Sequence, residues 1–438
     1  MKAVKDSVHN LATALAKYPL TIISSIVVTR FLGAENKGIY VYLIMISSVI
    51  LPISFIGIGN GIQYYISNKT YKVKDVFFTS TVIGVLTGIF VSFLIWGLWS
   101  TQYFGKAGNA ASFIVLLPFL IGIPLDGILY TSRFLLISDS KFQINNNIAL
   151  GIALLSSVLL IVFVTISSDK LIAAAIAINA VKVVYLIVMM YYIYRIYTPA
   201  MKWDYGYARK TYIYGAKSWL GNISARANDK LDQLIIGMFV SPAQLGIYSV
   251  SYAVVNLLLI PSNALSPVLF NKISQVKSLE KSSEIAAQVH RSLFLTIFIL
   301  CIGLGAIGYW LIGLMYGVEF QDAYYPMLIL MPGILFYSVS RRVLQKFLSA
   351  NGFPFKTSMV QFVAAVVGTI AYILLIPKFG IIGGAIGSTL AYLTSTIVAY
   401  SITKNMLKRH FGFFSFSMND INWIKIRLLE LLKFKSKI

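Results

Sequence analysis

Apolar runs about as long as a membrane-crossing helix, roughly 20 residues, recur along the whole chain and are separated by short polar stretches. Their spacing predicts twelve spans, at roughly 10–32, 38–66, 77–99, 112–136, 144–167, 171–195, 212–239, 244–271, 291–316, 324–349, 356–376 and 380–403. No stretch between them is long enough for a soluble domain. The pattern is that of an all-α integral membrane protein. One segment breaks it. Between Tyr212 and Tyr248 both ends read as membrane helix, but Arg226, Asp229, Lys230 and Asp232 fall within seven residues, beside Asn222, Asn228 and Gln233.

A charge at mid-bilayer costs a few kcal/mol, so such residues face a bundle interior or a wet cavity. At 100° per residue, Asn222, Arg226, Asp229 and Gln233 share one stripe, and Leu220, Ile223, Ala227, Leu231 and Leu234 lie opposite. The segment therefore reads as a membrane helix with one wet face. The plainer alternative is an internal ion pair, Arg226 with Asp229 at i+3, that only ties helices together.

Composition sharpens the class. The 438 residues are 58% hydrophobic and 12% charged, about half the charged fraction of a soluble protein. The net charge of +22 sits in loops between spans, which indicates membrane orientation and lipid contact, not nucleic acid; no nucleic-acid-binding motif is present. With the N-terminus in the cytoplasm, Lys69, Lys72, Lys74, Lys141, Lys202, Arg209, Lys210, Lys272, Lys277, Lys281 and Lys356 are all inside. The outer loops then hold only Lys37, Lys106, Lys170 and Lys378, with Glu319 and Asp322. Both termini are expected in the cytoplasm. The first apolar run continues to a full span, and no cleavable signal peptide is expected. In the tail, 411–438, Ile421, Ile424, Leu428, Leu431 and Leu432 oppose Lys425, Arg427, Lys433, Lys435 and Lys437, as in an amphipathic helix lying on the inner leaflet.

The chain also repeats itself. FLGAENKGIY at 31–40 matches FVSPAQLGIY at 239–248, and PLDGILYTSRF at 124–134 lies over PGILFYSVSRR at 332–342, both at a shift of 208 residues. Six spans per repeat leave both halves in one orientation. That predicts two six-helix bundles, 1–205 and 206–410, related by a parallel internal repeat with a cavity between them. Pro52, Pro261, Pro267 and Pro332 interrupt spans and favour kinks, which either serve bending between states or simply curve the helices.

Enzyme signals are missing. There is no P-loop, no His-Glu-x-x-His and no serine nucleophile elbow. Cys301 stands alone and His9, His290 and His410 cannot cluster, so neither a metal nor a cofactor is expected. What remains is a set of embedded charges. Lys17, Arg30, Lys182, Arg226 and Lys230, with Asn222, are the candidate substrate ligands. Arg30 reads equally as an interfacial anchor, and Arg133, Arg341 and Arg342 read as snorkelling or orientation residues. A basic chamber predicts an anionic cargo, and arginine's planar fork suits phosphate. Asp126, Asp229 and Asp232 are candidates either to carry a proton or sodium ion or to balance the basic groups.

ANDKLDQLIIGMFVSPAQLGIYSVSYAV at 227–254 and TRFLGAENKGIYVY at 29–42 resemble the seventh-span region and the first-to-second span junction of the polysaccharide transporter family. These are the Wzx-type flippases of the multidrug/oligosaccharidyl-lipid/polysaccharide exporter superfamily. Multidrug and toxin extrusion antiporters and the peptidoglycan-precursor flippase share parts of the pattern. The resemblance implies an undecaprenyl-pyrophosphate-linked oligosaccharide as cargo. It would be moved from the inner to the outer leaflet of the bacterial cytoplasmic (inner) membrane for O-antigen or capsule assembly. Lys17, Arg226 and Lys230 are the positions implied to meet the pyrophosphate. Membrane lipids are the implied surroundings, and polysaccharide polymerase and chain-length proteins the candidate partners. The mechanism implied is alternating access, with the lipid tail remaining in the bilayer. The rival is a drug/Na+ or drug/H+ antiporter of the same superfamily, which wants an acidic, aromatic pocket. A third class is a non-transporting scaffold for a glycan-assembly complex.

Overall fold

The computed structural model describes residues 2–276 and 278–407; the side chains of residues 2–17 and of seven positions between 218 and 228 are outside this description. The expected tail helix, 411–438, lies outside the described residues. Every long element is helical. The order is α1 (Lys2–Ser54), α2 (Ile58–Ser67), α3 (Val73–Ser100), the short α4 (Gly105–Asn109), α5 (Phe113–Ser138), α6 (Phe142–Ile166) and α7 (Lys170–Tyr197). It continues with α8 (Tyr205–Phe239), α9 (Pro242–Asn256), α10 (Ile260–Ser274), α11 (Leu279–Tyr316), α12 (Tyr324–Val339), α13 (Gln345–Ala350) and α14 (Pro354–Leu407).

Among the described residues, nine helical stretches are long and apolar enough to cross a membrane. Two of them, α1 and the 54-residue α14, are each bent once, at Gly33 (φ 71) and Gly380 (φ 56). Positive φ is costly for any residue with a Cβ, so glycine sits at both corners. The sequence pattern predicts separate spans on either side of these points; the helical runs instead abut with no loop between them. The span expected at 38–66 is also broken, at 55–57, where Ile56 (φ 48) and Gly57 (φ 71) separate α1 from α2. Pro52 lies one turn earlier. On the other side of the chain, a 3-10 turn at Leu257–Leu259 precedes Pro261. α8 covers 35 residues, about 52 Å at 1.5 Å per residue. Its length suffices for a span, and its polar middle keeps it out of the nine.

Packing pairs α3 with α5, α6 with α7 and α1, and α5 with α7; α8 with α14, α12 with α14 and α1 with α9 are the other principal contacts. Antiparallel alternation gathers helix ends into two groups. At one end lie the Gly33 bend, the end of α3 and the ends of α8 and α11. There Tyr42 Oη donates to the Phe104 carbonyl at 2.7 Å. A Cβ on Gly38 of α1 would come within 1.7 Å of the Pro242 carbonyl oxygen, and one on Gly246 of α9 within 2.1 Å of the Ala34 carbonyl oxygen. Small residues let two backbones touch in this way. At the opposite end, Ser67 Oγ donates to the Ser138 carbonyl at 3.1 Å and Tyr197 Oη to Asp139 Oδ2 at 2.6 Å. Lys69, Lys72, Lys74, Lys141, Lys202, Arg209 and Lys210 belong to this second end.

Proline also shapes α5. Pro124 has no N–H for the Leu120 carbonyl; Ser92 of α3 donates to that carbonyl instead, at 2.8 Å.

Candidate functional site

A cavity of about 750 Å³ opens between α1, α2, α5, α7 and α8, with Arg341 reaching in beyond the end of α12. Each helix presents a stripe at helical spacing. On α5 it is Asp126, Tyr130, Arg133, Phe134 and Ile137; on α7, Val181, Lys182 and Tyr185; on α8, Ile223, Arg226 and Asp229. Pro52, Gly57 and Asn60 complete the wall where α1 gives way to α2. All these positions lie in the middle of the bundle or toward its basic end.

The lining carries four cations, Arg133, Lys182, Arg226 and Arg341, against two carboxylates, Asp126 and Asp229. Both carboxylates are engaged. Lys182 Nζ meets Asp126 Oδ2 at 2.6 Å and the Gly122 carbonyl at 3.4 Å. Arg341 pairs with Asp229 through both guanidinium nitrogens, Nη2 to Oδ2 at 3.2 Å, and also donates to Tyr337 Oη. Tyr337 Oη in turn donates to Asp229 Oδ1 at 3.0 Å. Among the described residues, Arg133 and Arg226 have no carboxylate within salt-bridge distance, and both are exposed to the cavity. Among the described residues, the cavity lining thus holds a surplus of two positive charges, both on arginine.

The structure divides the sequence-predicted residues. Lys182, Arg226, Asp126 and Asp229 come together in the cavity. Arg30 does not join them. It sits at the Gly33 end, where Nε donates to the Met315 carbonyl at 2.8 Å and Nη2 to that of Leu314. Lys230 points elsewhere, its Nζ 5.5 Å from the ring centre of Tyr252. Lys17 and Asn222 lie on α1 and α8, but their side chains are outside the described residues. Asp232 is 2% exposed; it accepts from Tyr248 Oη at 2.9 Å, from Ser388 Oγ at 3.3 Å and from the Gln233 N–H at 2.8 Å.

Three expectations are corrected. Asp229 is paired not with Arg226, one turn away on its own helix, but with Arg341, 112 residues away. Ile223, assigned to the dry face of α8, lines the cavity, whereas Gln233, assigned to the wet face, is 3% exposed. Arg133 and Arg341, read as snorkelling residues, are lining residues. The repeat at 208 residues had already superposed these two arginines. Arg341 is aimed by a π-helical turn, Ser340–Leu344, a one-residue insertion of the kind that redirects side chains at functional sites.

The fold is shared with solved membrane transporters. A structure of the lipid II flippase MurJ in an inward closed conformation superposes with a TM-score of 0.76 over 97% of this chain and 92% of that one, at 14% identity. An inward-facing multidrug resistance MATE family transporter gives 0.71 over 94% and 99%, at 13% identity. Residues 27–325 match the profile of the family described as polysaccharide biosynthesis protein, and the chain belongs to that family. Its sequence is 23% identical over 238 residues to a probable low-salt glycan biosynthesis flippase, Agl15, of Haloferax volcanii. That match spans 54% of this chain and 49% of the relative, so the chain covers about half the length of that protein.

Proposed function

We propose that this protein flips a phosphate-bearing, lipid-linked oligosaccharide across the membrane by alternating access. The observation that carries the reading is the pair of cavity arginines, Arg133 and Arg226, with no carboxylate of their own. Guanidinium forks bind phosphate oxygens in pairs, and a positive chamber concentrates an anion. The same surplus opposes the cationic cargo of a drug antiporter. Lys182, held by Asp126, and Arg341, held by Asp229, line the same space. In this reading Asp126 and Asp229 balance charge, and Lys182 acts on the cargo through its pair with Asp126. Asp232, buried among hydroxyl groups, is the candidate carrier of a coupled proton or sodium ion. Lys17 and Asn222 retain the roles expected of them, whereas Lys230, turned toward Tyr252, does not.

The reading counts twelve crossings, with α1 and α14 each contributing two and α8 one, in bundles 1–205 and 206–410. The crossing of α1 and α9 supports it. A shift of 208 residues takes Ala34 to Pro242 and Gly38 to Gly246, so the Gly38–Pro242 and Gly246–Ala34 approaches have the reciprocal form that a two-fold repeat requires. The basic end is placed in the cytoplasm by the positive-inside rule, which makes the cavity inward-facing. Outward movement of an anion then gains about 2.3 kcal/mol per charge per 100 mV. The cargo favoured by family resemblance is an undecaprenyl-pyrophosphate-linked repeat unit for O-antigen or capsule; its phosphate is the part the cavity recognises.

The test is reconstitution in liposomes with a fluorescent lipid-linked oligosaccharide, scoring how much becomes protected from, or accessible to, a membrane-impermeant quencher. The purified protein is expected to accelerate exchange and Arg226→Gln to slow it. Exchange no faster than in protein-free liposomes overturns the proposal.

A further inference from the structure

The charged groups account for one part of the cavity wall. Beside them stands an aromatic surface to which no charge-based argument assigns a purpose. Tyr130, Phe134 and Tyr185 all line the cavity. Their positions are set from behind. The fully buried Phe55 stacks on Tyr130 with ring centres 4.5 Å apart and planes 8° from parallel. Phe134 leans on Tyr130 at 4.9 Å and 51°. Gly59 of α2 leaves them room, since a Cβ there would come within 2.7 Å of the Phe134 ring and 2.8 Å of Tyr130 Oη. Tyr130 and Phe134 are therefore held ready, with little conformational freedom left to lose on binding.

Tyr130, Phe134 and Tyr185 share the cavity wall with the two uncompensated arginines, Arg133 and Arg226. On α5, Tyr130 and Phe134 flank Arg133 at i−3 and i+1. A sugar joined to phosphate has the complementary order: an anion, then a ring with an apolar C–H face and a polar rim. Aromatic side chains offer an apolar face and, in tyrosine, a polar tip.

We infer that Tyr130, Phe134 and Tyr185 form a sugar subsite that takes the first, phosphate-linked residue of the glycan while Arg133 and Arg226 hold the phosphate. This rests on the flippase reading and adds that the protein recognises the sugar and not the phosphate alone. The aromatic surface continues toward the basic end. Tyr64, one turn past Asn60 on α2, stacks on Tyr214 of α8 at 4.2 Å and remains 42% exposed.

The experiment compares binding of two probes to the purified full-length protein in nanodiscs: a polyprenyl diphosphate without sugar, and the same lipid bearing one hexose. Tyr185→Ala and Tyr130→Ala are each expected to weaken the hexose-bearing probe about 3- to 10-fold and to leave the bare diphosphate unchanged. Tyr130→Phe keeps the ring and restores binding. Arg226→Gln weakens both probes. Tyr185 is included because its removal leaves the Phe55–Tyr130 stack intact, and thermal melting identifies any variant that fails to fold. Equal loss for both probes, or loss for neither, in a folded Tyr185→Ala protein overturns the subsite. Failure of the wild-type protein to bind the bare diphosphate overturns the phosphate reading beneath it.

Discussion

At the Gly33 end, two side chains exchange helix caps between the sequence halves. The bend at Gly33 starts a new helical segment whose first N–H groups have no intrahelical partner. Glu319, just beyond α11, supplies one: its Oε1 accepts from the Ala34 N–H at 2.8 Å. In return Arg30 donates to the carbonyls of Leu314 and Met315, in the last turn of α11, whose carbonyls are equally unsatisfied. A carboxylate at a helix start and a cation at a helix end both suit the helix dipole. Each cap comes from the other half of the sequence, so in the alternating-access reading both bonds break when this end opens. Removing the Glu319 carboxylate should cost about 1 kcal/mol, the usual worth of an N-terminal cap, and removing Arg30 a further ~0.5–1 kcal/mol at an exposed site. Together, ~1.5–2 kcal/mol is a factor of about 13 to 30 in a two-state ratio. The double variant Arg30→Ala/Glu319→Ala should therefore raise the ratio of open to closed at this end by that factor. Spin labels at Gln102 and Val318, in a Cys301→Ser background, report it as growth of the longer-distance population in pulsed electron paramagnetic resonance. Glu319→Gln, which keeps an acceptor oxygen, should fall between. An unchanged distance distribution in the double variant refutes the latch.

Further expectations follow from the same contacts. Gly246→Leu forces α9 off the Ala34 backbone, so it should favour the opened state at the Gly33 end more strongly than the double cap variant, read by the same labels. Asp126→Asn frees Lys182 and raises the cavity's surplus by one charge. It should tighten binding of a diphosphate lipid while slowing its net flipping, and binding assays set beside liposome exchange will separate the two effects.

Much of the architecture was legible from hydrophobic runs because lipid imposes a minimum length on every crossing. The corners were not. Gly33 and Gly380 bend continuous helices through single backbone angles, which leave no polar gap in the sequence. Lys182 stood among the candidate ligands as an embedded charge, and it lines the cavity. Its partner Asp126 lies on another helix, and only packing of α5 on α7 brings them together. The nearest-neighbour pairing of Arg226 with Asp229 failed for the same reason. Arg341 approaches from a distant π-helical turn, takes Asp229, and leaves Arg226 uncompensated. Tyr130, Phe134 and Tyr185 gave no signal among the many aromatics of a membrane protein. Arg30 was read as a ligand or an interfacial anchor, but its partners are backbone carbonyls of α11, which no residue pattern marks.

The account turns on the positive surplus in the cavity, and its most direct measurement is the affinity of the purified protein for a polyprenyl diphosphate as that surplus is removed. Replacing Arg133 and Arg226 together by glutamine should weaken binding at least about tenfold, since a hydrogen bond to a charged group is worth ~1.5–3 kcal/mol, and the remaining affinity should lose most of its dependence on salt. An Arg133→Gln/Arg226→Gln protein that folds and binds the diphosphate as tightly as the wild type would contradict the account.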